Sequence, residues 1–322
     1  MRARQGVLAD PMIAVLIGAT ALAFAVPATG SAQGIAQTIS NIAIFALFLV
    51  NGMRIARAEI WRGFANWRFF GPLFLFVFGA MPALGLGLSQ LGGHVLNPLI
   101  ALGFLYLGTL PSTVQSATSY TSLAGGNVAL SVVGAALINI AGVFVTAPLF
   151  ATLAGSDAAS MSGETLGRIA LILVLPFVLG QAVQGWTGPW LAARKSQVAW
   201  LDRIVIGIAV YVAFSGAVEQ GLLSMLSAGD AAALLALVSV FLIIAIGGAW
   251  LAAKLMGFAR GDRIAFLFAG AQKSVAIGAP LAALLFPPAI AGFVLAPLLL
   301  YHLLQLVVAA PLATHLAESE ES

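Results

Sequence analysis

Apolar residues run through this chain in long stretches, interrupted at short intervals by Gly, Asn, Asp and Arg. A membrane-spanning helix needs roughly 20 predominantly apolar residues. The pattern predicts ten such spans, near residues 11–27, 36–53, 70–90, 97–123, 128–153, 166–186, 203–223, 231–252, 264–286 and 289–313. The breaks between them are too short to form a separate soluble domain. The expected fold class is therefore an all-α polytopic membrane protein. A division near residue 160 leaves five spans on each side, giving predicted domains of residues 1–160 and 161–322. Five is odd, so the halves enter the membrane in opposite senses, the inverted-repeat arrangement common among secondary transporters.

The fourth span of each half breaks the apolar pattern at a matching place. In the first half, LGFLYLGTL is followed by Pro111 and then by Ser112, Thr113, Gln115, Ser116, Thr118, Ser119, Tyr120, Thr121 and Ser122. Proline removes a backbone donor and disfavours a straight helix. In the second half, the centre reads Gln272-Lys273-Ser274, flanked by Gly270, Gly278 and Pro280. Discontinuous spans at corresponding positions of two halves point to a binding site near the bilayer midplane. Opened backbone is tolerated there only where it is buried or lines water. Any one of these hydroxyls read alone is better explained by a bond to its own helix; the paired breaks favour a site.

Lys273 is the sharpest residue of this set. It lies about ten residues from either end of its span, too deep to snorkel, and a charge there costs ~2.5–3.5 kcal/mol on insertion scales. No span carries a central Asp or Glu to pair with it. Such a lysine suits a role in which it gains and loses a proton during transport. Glu219 reads as a rim residue, and Asn51 as a cap or a cavity residue. Asn127, after Gly125-Gly126, reads as a helix cap beside the site. Asn139, deep in the fifth span, reads as packing, with a bond across helices as the alternative. His94, His302 and His315 lack ligand spacing, so no metal site is expected.

Composition closes off other classes. The chain has 322 residues, of which 61% are hydrophobic and only 8% charged, and a mean hydropathy of +1.06. Soluble domains carry about 25% charged residues, so a soluble enzyme is excluded, as is disorder. There is no cysteine, hence no disulfide framework and no thiolate site. No P-loop, HExxH, serine elbow or carboxylate pair occurs, so neither an enzyme nor an ATP-driven pump is expected.

The 14 basic residues then set the orientation. With a cytoplasmic N-terminus, Arg2, Arg4, Arg54, Arg57, Arg62, Arg68, Arg194, Lys195, Arg203, Lys254, Arg260 and Arg263 all fall inside. Arg168 falls outside and Lys273 falls within a span. This is the positive-inside pattern. It implies an even helix count and both termini in the cytoplasm, in a plasma membrane such as a bacterial inner membrane. The pI near 9.6 thus reports orientation rather than nucleic acid. A competing reading takes Arg2, Arg4 and the apolar run from Met12 to Val26 as a cleavable signal peptide.

LPSTVQSATSYTSLAGGNVALSVVGAALINIAGVFVTAPL, from Leu110 to Leu149, resembles the fourth and fifth helices of the bile acid:sodium symporter superfamily. GGNVALS at 125–131 is its most specific piece. LFLVNGMRI at 47–55, VYVAFSGAV at 210–218 and GAQKSVAIGAP at 270–280 are similar to its SBF-like branch. The resemblance implies a core of helices three to five and eight to ten and a panel of helices one, two, six and seven. It implies that helices four and nine unwind and cross at the midplane, with substrate bound behind the crossover. Where sodium-coupled members carry a glutamate, this chain has Phe268, and the asparagine after the glutamine is Lys273. The crossover Ser-Asn pair is Ala117-Thr118, and a threonine ligand is Ala135, while Ser131 remains. A hard cation wants several oxygens, preferably with carboxylate. The lysine charge would stand in for sodium by donating to carbonyls at half-helix ends.

The expected function is therefore a secondary transporter of a small organic anion, coupled to protons through Lys273. Half-helix N-termini favour carboxylate or sulfate groups. The candidate binding residues are Thr113, Gln115, Ser116, Thr118, Asn127, Ser131, Gln272, Lys273 and Ser274. Pro111, Gly278 and Pro280 are the expected helix breakers. No cofactor, metal or nucleic acid is expected. The bilayer is the expected partner, and the oligomeric state stays open. Two alternatives stand: sodium symport through a reduced site at Gln272, Thr118 and Ser131, and a sensor or assembly partner that kept a transporter fold.

Overall fold

The computed structural model describes residues 11–58, 66–158, 167, 170–221 and 227–318. Arg2, Arg4, Arg62 and Arg168, used above for orientation, lie outside them. The described residues form helices and connecting turns, with no strand among them. We number the helices α1 (Pro11–Ala25), α2 (Ser31–Arg54), α3 (Trp67–Gly92, with a π turn at Phe76–Ala80), α4 (Pro98–Thr109), α5 (Val114–Leu123) and α6 (Val128–Ala158). The second half supplies α7 (Leu175–Ala192), α8 (Lys195–Glu219), α9 (Ala228–Leu255), α10 (Arg260–Ala271), α11 (Val275–Leu285) and α12 (Pro288–Glu318).

Among the described residues, eight helical stretches are long and apolar enough to cross a membrane, counting α10 and α11 as one. The pair α4 and α5, bent by 64°, makes a ninth, and α1 is a shorter apolar helix of 15 residues. Each predicted span overlaps a helix, but the ends differ in both directions: 11–27 and 203–223 overrun helices that end at Ala25 and Glu219, while other helices extend past their predicted ends. α8 begins at Lys195 and α12 runs to Glu318, because polar turns extend a helix past the hydrocarbon-like stretch that marks it in sequence.

The described chain gathers into two compact units, each drawn from both halves of the sequence. One comprises Met1–Arg57, Ala154–Ser227 and Ala276–Ala296. In it α2 packs on α7, and α1 and α2 pack on α8. The α2–α7 contact depends on two glycines. A Cβ on Gly52 would lie 2.2 Å from the Phe177 carbonyl oxygen, and one on Gly180 would lie 2.2 Å from that of Leu49. Small residues at such crossings let backbones approach closely. Arg54, at the end of α2, is paired with Asp202 of α8 at 2.8 Å.

The other unit comprises Ala58–Leu153, Ala228–Val275 and Pro297–Ser322. Here α3 packs on α4, α9 on α10 and α10 on α5. Asn97 starts α4 by accepting the Leu99 amide at 2.9 Å, with Pro98 in the first turn, a strong helix start. The α10–α11 span is the most enclosed of the candidate spans, with 94% of its most apolar window buried. Its polar centre therefore faces protein.

Candidate functional site

Two helix breaks meet inside the second unit. α4 ends at Thr109, and Leu110 is extended with φ −73° and ψ 147°. That conformation follows from Pro111, which disfavours the helical region for the residue before it. α5 then resumes at Val114. α10 ends at Ala271, and Gln272 is likewise extended with φ −77° and ψ 144°, although no proline follows. At this second break the backbone opens because its groups bond elsewhere. The Ser274 amide donates to the Pro111 carbonyl at 3.0 Å, which ties the two breaks together. The Lys273 amide donates to Gln305 Oε1 at 2.8 Å, and Gln305 Nε2 donates to the Lys273 carbonyl at 3.1 Å. Gly278 and Pro280, expected to break the span, lie inside α11 instead. The break at 272–274 is held by hydrogen bonds to distant segments of the chain rather than by helix-breaking residue types.

Lys273 is fully buried. Its Nζ donates to the carbonyl oxygens of Gly108 at 2.9 Å and Leu110 at 2.7 Å. These are carbonyls at the C-terminal end of α4, which no intrahelical amide satisfies and which carry the negative end of the helix dipole. Lys273 makes no ion pair with a described carboxylate. The ammonium is held by helix-end carbonyls alone.

The remaining predicted residues fall into three groups. Ser116 and Gln272 come together across the breaks, the hydroxyl donating to the amide oxygen. Gln272 is 3% exposed, and its Nε2 has no hydrogen-bond partner. It lines, with Gln305, a small cavity of about 10 Å³ among Phe268, Leu242 and Leu312, room for about one water molecule. Thr118 Oγ1 is buried and also unpartnered. Ser131 is buried and accepts from Thr121 Oγ1 at 3.1 Å. Thr113 stands at the start of α5 without capping it through its side chain, and Gln115 is exposed. Asn51 lies within the last turn of α2 rather than capping it.

The GGN stretch has a structural explanation. Gly125 takes φ +70° after α5. The Gly126 amide reaches the Thr121 carbonyl at 2.8 Å, and the Gly125 amide reaches that of Ser122 at 3.2 Å. This is a Schellman ending, which favours glycine at its left-handed position. A Cβ on Gly126 would lie 2.5 Å from Ile264 Cγ2 of α10. Asn127 then caps α6 by accepting the Leu130 amide at 3.2 Å, and its Nδ2 donates to Asp262 at 2.8 Å. It thus ties α6 to α10 from outside the breaks. Asn127→Ala is expected to lower stability by about 1–2 kcal/mol through loss of the cap and a charge-assisted bond. Thermal unfolding in detergent would measure this, and an unchanged midpoint would refute it.

Four residues at the breaks carry weight that the sequence reading missed, and a fifth, Asn139, makes the cross-helix bond that was the less favoured reading of it. Asn139 Nδ2 donates to the Ser112 carbonyl at 2.6 Å, and Thr146 Oγ1 donates to the Thr109 carbonyl at 3.0 Å. Tyr301 OH donates to the Ala271 carbonyl at 2.6 Å. Gln305 grips Lys273, and its Nε2 lies 2.9 Å from His302 Nδ1. The available signal was polar side chains at helical spacing, at 139 and 146 and at 301, 302 and 305, inside long apolar helices.

An all-helical membrane protein whose buried centre is two bonded helix breaks around a lysine has the build of a secondary transporter. The chain belongs to the SBF-like CPA transporter family, whose model matches residues 10–318. It is 35% identical over 304 residues to the "Putative symporter YfeH" of Escherichia coli K12, covering 94% of this chain and 92% of that one. It is 34% identical over 319 residues to the Pseudomonas aeruginosa protein PA2026, covering 99% of this chain and 96% of the relative. The "Sodium/bile acid cotransporter 7" of Mus musculus is 25% identical over 313 residues, covering 93% and 89%. The chain is thus an integral membrane protein of a symporter-like transporter family, not of an enzyme family.

Proposed function

We propose that this protein is a secondary transporter of a small organic anion, working by alternating access and coupled to protons through Lys273. The observation that carries this reading is the Lys273 ammonium on the Gly108 and Leu110 carbonyls, with no ion pair to a described carboxylate. A charge there neutralises the end of α4, and its loss releases two carbonyls. Protonation is therefore coupled to the geometry of the crossover. The half-helix N-termini of α5 and α11, opposite in sequence sense to the carbonyl ends, are where a carboxylate or sulfonate would bind, beside Thr113, Gln115, Ser116 and Ser274.

The finer architecture belongs to the same proposal. We read ten spans as two inverted five-helix repeats, with both termini cytoplasmic. One compact unit holds α1, α2, α7 and α8, and the other holds α3 to α5, most of α6, α9, α10 and the later part of α12, which supports a division into panel and core except for Ala276–Ala296, most of α11 and the start of α12, which group with the first unit. Thr118 Oγ1, a buried oxygen without a partner, favours one second reading: sodium symport through Gln272, Thr118 and Ser131.

The test is uptake into proteoliposomes of a labelled panel of small carboxylates and sulfonates. An imposed pH gradient, acid outside, is expected to drive uptake without sodium, and a protonophore is expected to abolish it. Uptake that needs sodium and ignores pH would overturn proton coupling in favour of the second reading. If no member of the panel is taken up or raises the thermal midpoint through binding, the organic-anion reading falls.

A further inference from the structure

Each break is followed by a helix that carries the polar groups holding it. α6, which follows the first break and α5, sends Thr146 Oγ1 to the carbonyl of Thr109, the last residue of α4, at 3.0 Å. It also sends Asn139 Nδ2 to the carbonyl of Ser112, inside the break, at 2.6 Å. α12, which follows the second break and α11, sends Tyr301 OH to the carbonyl of Ala271, the last residue of α10, at 2.6 Å. It also sends Gln305 Nε2 to the carbonyl of Lys273, inside the break, at 3.1 Å. The same pair of contacts thus occurs twice, from different residues on unrelated local sequence. A hydroxyl takes the last helical carbonyl, and a carboxamide takes a carbonyl of the opened stretch.

We infer that Asn139 and Gln305, seconded by Thr146 and Tyr301, are paired positioning residues that hold the two breaks in register and thereby set where the Lys273 ammonium sits. The hydrogen-bond inventory gives the arrangement its direction. Gln305 Oε1 accepts the Lys273 amide, so its two Nε2 hydrogens serve the Lys273 carbonyl and His302 Nδ1. His302 accordingly presents Nδ1 as an acceptor. Asn139 Nδ2 spends its two hydrogens on Ser112 and on the Ala135 carbonyl at 2.8 Å. With its backbone gripped by Gln305, Lys273 can reach only what its side chain spans, the Gly108 and Leu110 carbonyls. Asn139 touches neither the lysine nor those two carbonyls. It fixes the neighbouring Ser112 peptide, and so acts on Lys273 through the first break. The inference rests on the reading of Lys273 as the working group.

The chain has three lysines, Lys195, Lys254 and Lys273, so lysine-selective ¹³Cε labelling in lipid nanodiscs gives three signals. Lys273→Arg identifies the buried one by its loss. Gln305→Met keeps side-chain length without polar atoms, and Asn139→Leu keeps volume. Each is expected to displace or broaden the Lys273 signal by more than a line width while leaving Lys195 and Lys254 in place. Gln305→Glu keeps an acceptor for the Lys273 amide but no donor for its carbonyl, and is expected to give a smaller displacement. Exchange of the Lys273 amide is expected to accelerate about tenfold in Gln305→Met. A merely structural role would move all three signals together or none.

If Asn139→Leu does not fold, Asn139→Ser, whose short hydroxyl cannot span both carbonyls, replaces it. A Lys273 signal unchanged in the folded Gln305 and Asn139 variants overturns the inference. No transport is measured here, so this result stands apart from the uptake test. Failed proton coupling would leave the positioning intact, and a failed clamp would leave the coupling to be judged on uptake alone.

Discussion

Lys273→Ala is expected to abolish proton-driven uptake and to destabilise the folded protein. The wild-type ammonium satisfies the Gly108 and Leu110 carbonyls from a fully buried position. Alanine removes both donors and leaves the two acceptors buried. Each unsatisfied buried acceptor costs about 1–3 kcal/mol, so the crossover loses about 2–6 kcal/mol in its present arrangement. At 1.4 kcal/mol per factor of ten, the population of that arrangement falls by roughly one to four orders of magnitude even where the rest of the fold survives. Lys273→Met separates charge from packing, because it keeps a long flexible stem and lacks the donors. It is expected to fold with a lowered thermal midpoint and to show no pH-driven uptake. Lys273→Arg keeps a permanent charge that does not titrate in this range, so it is expected to hold the crossover but to lose the response to a pH gradient. The measurement is initial uptake in proteoliposomes at matched reconstitution, with thermal midpoints alongside. Wild-type pH dependence in Lys273→Met would remove the lysine from the mechanism.

How much of this was legible beforehand depends on the chemistry of each part. The broken spans were legible because hydroxyls and a lysine stand out against an apolar background, and Pro111 marks its own break. That Lys273 would donate to carbonyls at a half-helix end was implied by the resemblance; which carbonyls was not legible, because glycine and leucine in LYLGTLP give no sign that their oxygens face an amine. The second break lies at 272–274 rather than at Gly278 and Pro280, because bonds from Gln305 and Pro111 open the chain there. Such bonds join residues more than 30 positions apart and leave no local mark. Asn139 and Gln305 were visible as letters, yet a lone amide in an apolar helix looks the same whether it packs or holds a neighbour. Asn127 shows the reverse case. It was read first as a helix cap and only by its place beside the crossover as a site candidate, and its contacts are that cap and a bond to Asp262.

Gly108→Ala is expected to be the most damaging single-methyl change near the site. A Cβ at 108 would lie 2.7 Å from the Met81 carbonyl oxygen, 3.0 Å from Pro82 Cα and 3.1 Å from Gly85 Cα. All three are backbone atoms, so no rotamer change relieves the overlap, and α3 and α4 must move apart. Overpacking of this kind costs typically about 1–3 kcal/mol. The position carries a second penalty, because the same residue supplies a carbonyl to Lys273 Nζ at 2.9 Å. Displacing α4 by enough to seat the methyl lengthens that bond, so stability and lysine placement fail together. Gly87→Ala, in the neighbouring α3 but with nothing within 4 Å of its Cβ position, is the control. There alanine is expected to be neutral or stabilising by up to about 1 kcal/mol, as the better helix former. Gly85→Ala, whose Cβ would lie 2.5 Å from the Phe104 carbonyl oxygen, strains the same crossing without changing the residue whose carbonyl accepts from the lysine. If the crossing matters only for packing, Gly85→Ala and Gly108→Ala will lower the thermal midpoint alike and leave the Lys273 signal equally placed. If α4 is the platform for the lysine, Gly108→Ala will displace that signal further at equal loss of stability. A thermal midpoint for Gly108→Ala equal to that of wild type would show that the two helices do not approach as closely as described.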